Sequence, residues 1–270
     1  MLKKIIESFK DTVRTNISKN GISEIDITKL KATKTNDKKV LNIFVHGYSA
    51  LKDDQSKNKL IQRLSIDQTV DNWLFCWPSG FAINPMFADL KATDVWMLYK
   101  GDLTAKGLLL GVQLTKMFSH FKDHLKDAEN IGQRDFFSKI QNEIKKDNIK
   151  YDQINIIAHS LGSRLVCNAL LHTDKNTITD LKINNLYLLA GAIPLDIDWN
   201  KMLSLVNGKL YNFYSKSDFV LMFKPDNEKC IGRYPIIYSG DTLNKITNIE
   251  TNIMHWKYWD SISKVFELSK

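Results

Sequence analysis

Eight consecutive residues, Ile156-Ile157-Ala158-His159-Ser160-Leu161-Gly162-Ser163, restrict the fold of this chain more than any other stretch of it. An apolar, β-branched run passes through a tight turn and straight into a helical pattern, RLVCNALL. A strand that turns into a helix with no intervening loop holds the turn serine in a strained backbone conformation and lifts its hydroxyl above the sheet edge. Small residues two before and two after it, here Ala158 and Gly162, avoid collision across the turn. Ala158 stands where the usual pattern has glycine, a small departure. Ser160 also falls at a helix N-terminus, where unpaired amides favour developing negative charge. A plain N-cap would equally put serine before a helix, so the strand–turn–helix context carries the signal.

The rest of the chain agrees with that context. Short apolar runs at residues 40–46 (VLNIFVH), 73–77 (WLFCW), 154–158 (INIIA), 185–190 (NLYLLA) and 210–214 (LYNFY) have the length and punctuation of buried parallel strands. Helical patterns lie around 60–63 and at 136–146, 164–172 and 199–206, with a last one at 256–268. Alternation of this kind predicts an α/β fold, a doubly wound and mostly parallel sheet, in a single domain over residues 1–270. About seventy-five residues separate Ser79 from Ile154, far more than one crossover helix needs. The surplus, residues 81–131, is expected to form a helical cap insertion over the C-terminal edge of the sheet. Within it, residues 107–121 (GLLLGVQLTKMFSHF) read as an apolar helix that packs on the body or meets an acyl chain or membrane surface.

A second motif lies upstream, Ile43-Phe44-Val45-His46-Gly47-Tyr48-Ser49, again a buried strand, this time ending in His-Gly. Acyl transfer at Ser160 would need two preorganised donors for the oxyanion. The amide of Leu161, directly after the nucleophile, and that of Tyr48, in the loop after the earlier strand, are the candidates. Gly47 lets the second backbone come close. His46, Gly47 and His159 are the neighbours expected to meet substrate.

The set F-V-H-G-Y, then C-W-P-S-G at residues 76–80, then I-I-A-H-S-L-G-S-R resembles the α/β-hydrolase superfamily. It is similar in particular to esterase/lipase-like serine hydrolases that share a W-P-S strand end and an A-H-S-x-G elbow. The resemblance runs from about residue 40 to the C-terminus and leaves the cap region unaligned. It implies a triad in the chain order serine, acid, histidine. The run S-x-S-D-x-V-L resembles the acid turn of this group and points to Asp218, with Asp196 and Asp198 as rivals after the preceding strand. Of six histidines only His255 follows all three acid candidates. It sits after an expected last strand at 246–251 and before the final helix, where the family places its base. The implied activity is hydrolysis of a carboxylic ester, of a lipid or a small molecule, through an acyl-enzyme. Thioester cleavage, peptide cleavage and acyl transfer use the same triad, and a non-catalytic binding role would be expected to lose one of its members.

Composition narrows the alternatives. No glycine-rich phosphate loop or dinucleotide fingerprint is present, so no cofactor is expected. Cys76, Cys167 and Cys230 form no C-x-x-C pair, and His120 and His124, though four apart, lack a third ligand, so no metal is expected. A net charge of +8 is spread along the chain, richest in the first forty residues, and is compatible with anionic surfaces without any nucleic-acid motif. No nucleic-acid partner is expected, while peripheral membrane contact stays open. Residues 1–20 lack a continuous apolar region and space Leu2, Ile5, Ile6, Phe9 and Val13 as an amphipathic helix does, so no signal peptide and a cytoplasmic location are expected, with signal-less export left open. Trp73, Phe75, Trp77, Phe81 and Trp96 are candidates for an acyl pocket or for core.

Overall fold

A computed structural model describes residues 24–32, 38–48, 51, 54–64, 69–80, 121–178, 180–222, 229–237 and 243–270. The amphipathic segment at 1–20 and cap residues 81–120, with the expected helix at 107–121 up to its last residue, His120, Phe81 and Trp96, lie outside them.

Seven strands form one sheet: β1 (Asp26–Leu30), β2 (Val40–Val45), β3 (Asp71–Cys76), β4 (Gln153–His159), β5 (Ile183–Leu189), β6 (Leu210–Tyr214) and β7 (Ile246–Glu250). Their order is β1-β3-β2-β4-β5-β6-β7, with β1 antiparallel to β3 and every other pair parallel. The helices are α1 (Asp54–Leu64), α2 (Phe137–Asp147), α3 (Leu161–His172), α4 (Trp199–Leu203), α5 (Phe219–Met222) and α6 (Ile262–Leu268), and residues 121–131 are also helical. Between that stretch and α2 lies a π-helical turn, Gly132–Phe136. A Cβ on Gly132 would lie 2.3 Å from the Leu165 carbonyl oxygen, so only glycine lets this turn press against α3. Among the described residues no helix is long and apolar enough to cross a membrane.

The doubly wound, mostly parallel sheet read from the sequence is the sheet observed. Alternation along each strand feeds two cores. Leu41, Ile43 and Val45 of β2, Trp73 and Phe75 of β3, and Ile154 and Ile156 of β4 share one face with Phe137, Ile140, Leu165 and Met202. Phe44, Leu74, Cys76 and Ile157 point the other way, to Leu60, Leu64, Ile262 and Val265. Strands buried on both faces must be apolar throughout, which is why they read as continuous runs. Trp73, Phe75 and Trp77 are fully buried, so these three aromatics belong to the core and not to an acyl pocket.

A row of asparagines crosses this sheet. Asn42 Nδ2 donates to Asn72 Oδ1 (3.0 Å), Asn155 Nδ2 to Asn42 Oδ1 (3.0 Å), and Asn184 Nδ2 to Asn155 Oδ1 (3.3 Å). The amides thus run hand to hand across β3, β2, β4 and β5, satisfying polar groups that burial would otherwise penalise.

Three elements differ from expectation. β1 shows no strong apolar alternation and was not anticipated. The expected helix at 199–206 stops at Leu203. The final helical pattern breaks into two 3₁₀ turns, His255–Lys257 and Trp259–Ser261, before α6 begins.

Candidate active site

The turn between β4 and α3 has the strained geometry that its sequence requires. Ser160 adopts φ +52° and ψ −119°, outside the regions open to most side chains, at a cost of about 1–3 kcal/mol. The surroundings hold it there. Its amide donates to the Leu189 carbonyl (2.9 Å), and its carbonyl accepts from the amides of Ser163 and Ala192 (both 3.1 Å). Gly162 explains the small residue two positions on, since a Cβ there would lie 2.4 Å from the His46 carbonyl oxygen and 2.6 Å from that of Val45. Ser160 makes no side-chain capping bond to its own helix. It is therefore not an ordinary N-cap.

Its hydroxyl instead meets an imidazole. His255 Nε2 lies 3.0 Å from Ser160 Oγ, and His255 Nδ1 lies 2.7 Å from Asp218 Oδ2. With a carboxylate at Nδ1, that nitrogen carries the proton and Nε2 is left to accept from the serine. Asp218 follows β6 and opens α5; its other oxygen accepts from the Leu221 amide (3.0 Å). Burial pushes the Asp218 carboxyl up, but the opposing charge and hydrogen bond of His255, with the Leu221 amide, outweigh it and hold the group below its ordinary value. The rival acids are elsewhere. Asp196 and Asp198 are exposed, and Asp198 caps α4 by accepting from the Lys201 amide (3.0 Å).

The loop after β2 abuts the elbow. A Cβ on Gly47 would stand 2.8 Å from Ser160 Cβ and 3.0 Å from the His159 carbonyl oxygen, so glycine permits this close approach of backbone to Ser160. Tyr48 follows directly, its ring held edge-on by Phe121 (5.6 Å between centroids) and tilted against His124 (5.6 Å). Leu161, as the first residue of α3, has no carbonyl four residues back within the helix to bond its amide.

Two of the expected substrate neighbours, His46 and His159, are turned inward. His46 is fully buried, its Nε2 accepts from the Trp77 amide (3.1 Å), and its own carbonyl accepts from Trp77 Nε1 (2.9 Å). Stacked on Trp77, it clamps the ends of β2 and β3 together, and burial lowers its pKa to about 4. His159 also turns inward, 7% exposed, and its Nε2 meets the backbone carbonyl of His255 at 2.7 Å. Burial first, then the neighbouring His255, lowers its pKa to about 3. Sequence reasoning missed a further neighbour: His124, which was considered only as half of a metal pair, lies against Tyr48 and Gly80 and bonds Asp127 through Nδ1 (3.0 Å). A groove of about 440 Å³ lined in part by Lys145, Lys150, Tyr151 and Lys182 opens at the opposite edge of the sheet and takes no part in this geometry.

Comparison with known proteins agrees with the fold. Residues 27–226 match a family model described as an alpha/beta hydrolase of unknown function (DUF900). An uncharacterized membrane protein of Schizosaccharomyces pombe is 27% identical over 119 residues, 42% of this chain and 20% of that protein, so the chain spans about a fifth of that relative. Among solved structures, LpqC, a poly(3-hydroxybutyrate) depolymerase from Bordetella parapertussis, is similar with a TM-score of 0.47 at 8% identity, covering 91% of this chain and 86% of that one. EstE1, a thermostable carboxylesterase from a metagenomic library, is similar with a TM-score of 0.43 at 9% identity, covering 99% and 94%. The match over residues 27–226, nearly three quarters of the sequence, places this chain in the DUF900 family of alpha/beta hydrolases.

Proposed function

We propose that the protein is a serine hydrolase that cleaves a carboxylic ester through an acyl-enzyme, with Ser160 as nucleophile, His255 as general base and Asp218 as its orienting acid. One observation carries this reading: a serine on a strained strand-to-helix turn, 3.0 Å from an imidazole whose other nitrogen is 2.7 Å from a buried carboxylate. Each part has a chemical task. His255 Nε2 takes the Ser160 proton as Oγ bonds to the ester carbonyl carbon. The resulting oxyanion receives hydrogen bonds from the amides of Leu161 and Tyr48, each such donor worth about 10²–10³ in rate. When the tetrahedral intermediate collapses, the imidazolium gives its proton to the departing alkoxide, and water repeats the sequence on the acyl-enzyme. Asp218, held ionised, stabilises the imidazolium throughout.

The apolar run Leu108, Leu109, Leu110, Val112 and Leu114 favours an ester with an apolar acyl group, a lipid ester included. The same run leaves room for contact with a membrane surface during catalysis. The test combines a fluorophosphonate probe with p-nitrophenyl esters of graded chain length and a phospholipid. Wild type is expected to label and turn over, Ser160→Ala to do neither, and longer acyl chains to be preferred. A wild type that neither labels nor hydrolyses any ester would overturn the enzymatic reading; preference for the shortest chains would overturn the apolar-acyl part alone.

A further inference from the structure

His255 sits on a short turn between exposed neighbours. It opens a 3₁₀ turn, and its neighbours Met254 and Trp256 are 60% and 48% exposed. Exposed flanks give a turn little packing to hold it, because burial is what fixes most backbone. The local backbone bond is Lys257 N to the Met254 carbonyl (2.8 Å), which closes the turn without attaching it to the body of the protein. Besides the Asp218 contact to the His255 ring and the buried Tyr258 that follows the turn, an attachment of its backbone comes from His159. Its Nε2 reaches the His255 carbonyl at 2.7 Å from within a packed environment, its ring 4.9 Å from that of His255, 5.8 Å from Tyr258 and 5.6 Å from Trp259.

We propose that His159 is a positioning residue, whose Nε2–H bond to the His255 carbonyl fixes the separation of base and nucleophile. This rests on the triad reading above. The covalent connection makes the device effective: His159 is bonded to Ser160, so the same dipeptide carries the nucleophile and grips the backbone that carries the base. Moving the turn away from the elbow stretches the 2.7 Å bond together with the 3.0 Å contact between His255 Nε2 and Ser160 Oγ.

The chemistry of the residue fits. A carbonyl can only accept, so His159 Nε2 must carry the proton and the ring must be the neutral Nε2–H tautomer. Burial keeps it neutral, with a pKa of about 3. Among the described residues its Nδ1 has no hydrogen-bond partner, and it faces Gly47, 3.1 Å from where a Cβ would be. An unsatisfied buried acceptor has a cost, so the imidazole is not there to be satisfied at both nitrogens. Its geometry serves the Nε2 bond alone. A glutamine amide reaches to the place of Nε2 and has no acceptor in the place of Nδ1.

The experiment compares His159→Gln, His159→Asn and His159→Phe. Phenylalanine fills the space without a donor, and asparagine is too short to reach the carbonyl. Steady-state kinetics on a p-nitrophenyl ester should show kcat reduced on the order of 10–100-fold for Phe and Asn with KM within about twofold, and restored toward wild type by Gln. A second measurement does not depend on turnover. The proton shared by His255 Nδ1 and Asp218 should give a downfield NMR resonance in wild type and Gln, broadened or lost in Phe and Asn. Equal kcat in all three variants with an unchanged resonance would overturn the positioning role, as would a loss in Gln equal to that in Phe. If wild type shows the resonance and the variants shift it as described while no ester is turned over, the ester-hydrolase reading fails and the positioning role stands.

Discussion

Two buried histidines should make this protein acid-labile well above the pH at which its carboxylates titrate. His46 and His159 are held uncharged in the fold, with values of about 4 and about 3 against an ordinary 6.5. As pH falls below 6.5 the unfolded chain therefore binds two protons that the folded chain refuses. Stability is full above that point and is lost downward, through about 4 for His46 and about 3 for His159. At about 1.4 kcal/mol per proton per pH unit, with the unfolded imidazoles half protonated at pH 6.5, going from pH 6.5 to 5 removes about 3 kcal/mol. That is a large part of the roughly 5–15 kcal/mol by which domains are stable. Asp218 does not contribute over this interval, because its carboxyl is held below its ordinary value and its share of stability is lost only at more acid pH. The assay is urea unfolding followed by tryptophan fluorescence at pH 7.5 and 5.0, in wild type and His159→Gln. Replacing one of the two imidazoles should halve the difference between the two conditions. Equal unfolding free energies at both pH values, or a loss in His159→Gln as large as in wild type, would refute the reasoning.

Other consequences can be measured directly. Gly47→Ala puts a Cβ 2.8 Å from Ser160 Cβ and should displace the Tyr48 amide, lowering the rate of fluorophosphonate labelling about 100-fold while the far-ultraviolet spectrum is kept. Asp218→Asn should reduce kcat on an ester by on the order of 10⁴, whereas the exposed Asp196→Asn should leave it unchanged; full activity in Asp218→Asn would remove it from the triad. Asn42→Leu removes the donor to Asn72 Oδ1 and the acceptor of Asn155 Nδ2 and should lower the unfolding free energy by about 1–3 kcal/mol, read by urea titration.

What could be read from the sequence was whatever is local. The Ala158–Gly162 turn needs no distant information, because strand, serine and helix are contiguous. The buried parallel strands announce themselves as apolar runs for the same reason. β1 escaped notice because it is a half-exposed edge strand with Asp26, Thr28 and Lys29 among its five residues, so its pairing with β3 is set by the sheet and not by its own pattern. The turns at 255–261 looked like helix because Trp256 and Trp259 fall at helical spacing, yet Trp256 faces solvent and only Trp259 is buried. His46 and His159 stand beside motif residues yet are buried. Neighbours in sequence at a strand end alternate in direction, so a residue beside Ser160 is as readily turned into the protein as toward a ligand.

The chain of amides through Asn72, Asn42, Asn155 and Asn184 answers a question that the apolar residues of the same strands leave undecided. A parallel strand that slides by two residues keeps every hydrophobic side chain on its proper face, so greasy surfaces alone tolerate the error. The same slide separates each carboxamide from its neighbour and leaves the buried ones, Asn42 and Asn72, without that partner. Because β2 and β4 sit at the middle of the sheet and end in the Gly47 loop and Ser160, that intolerance keeps the two strand ends level, and with them the heights of the groups they present.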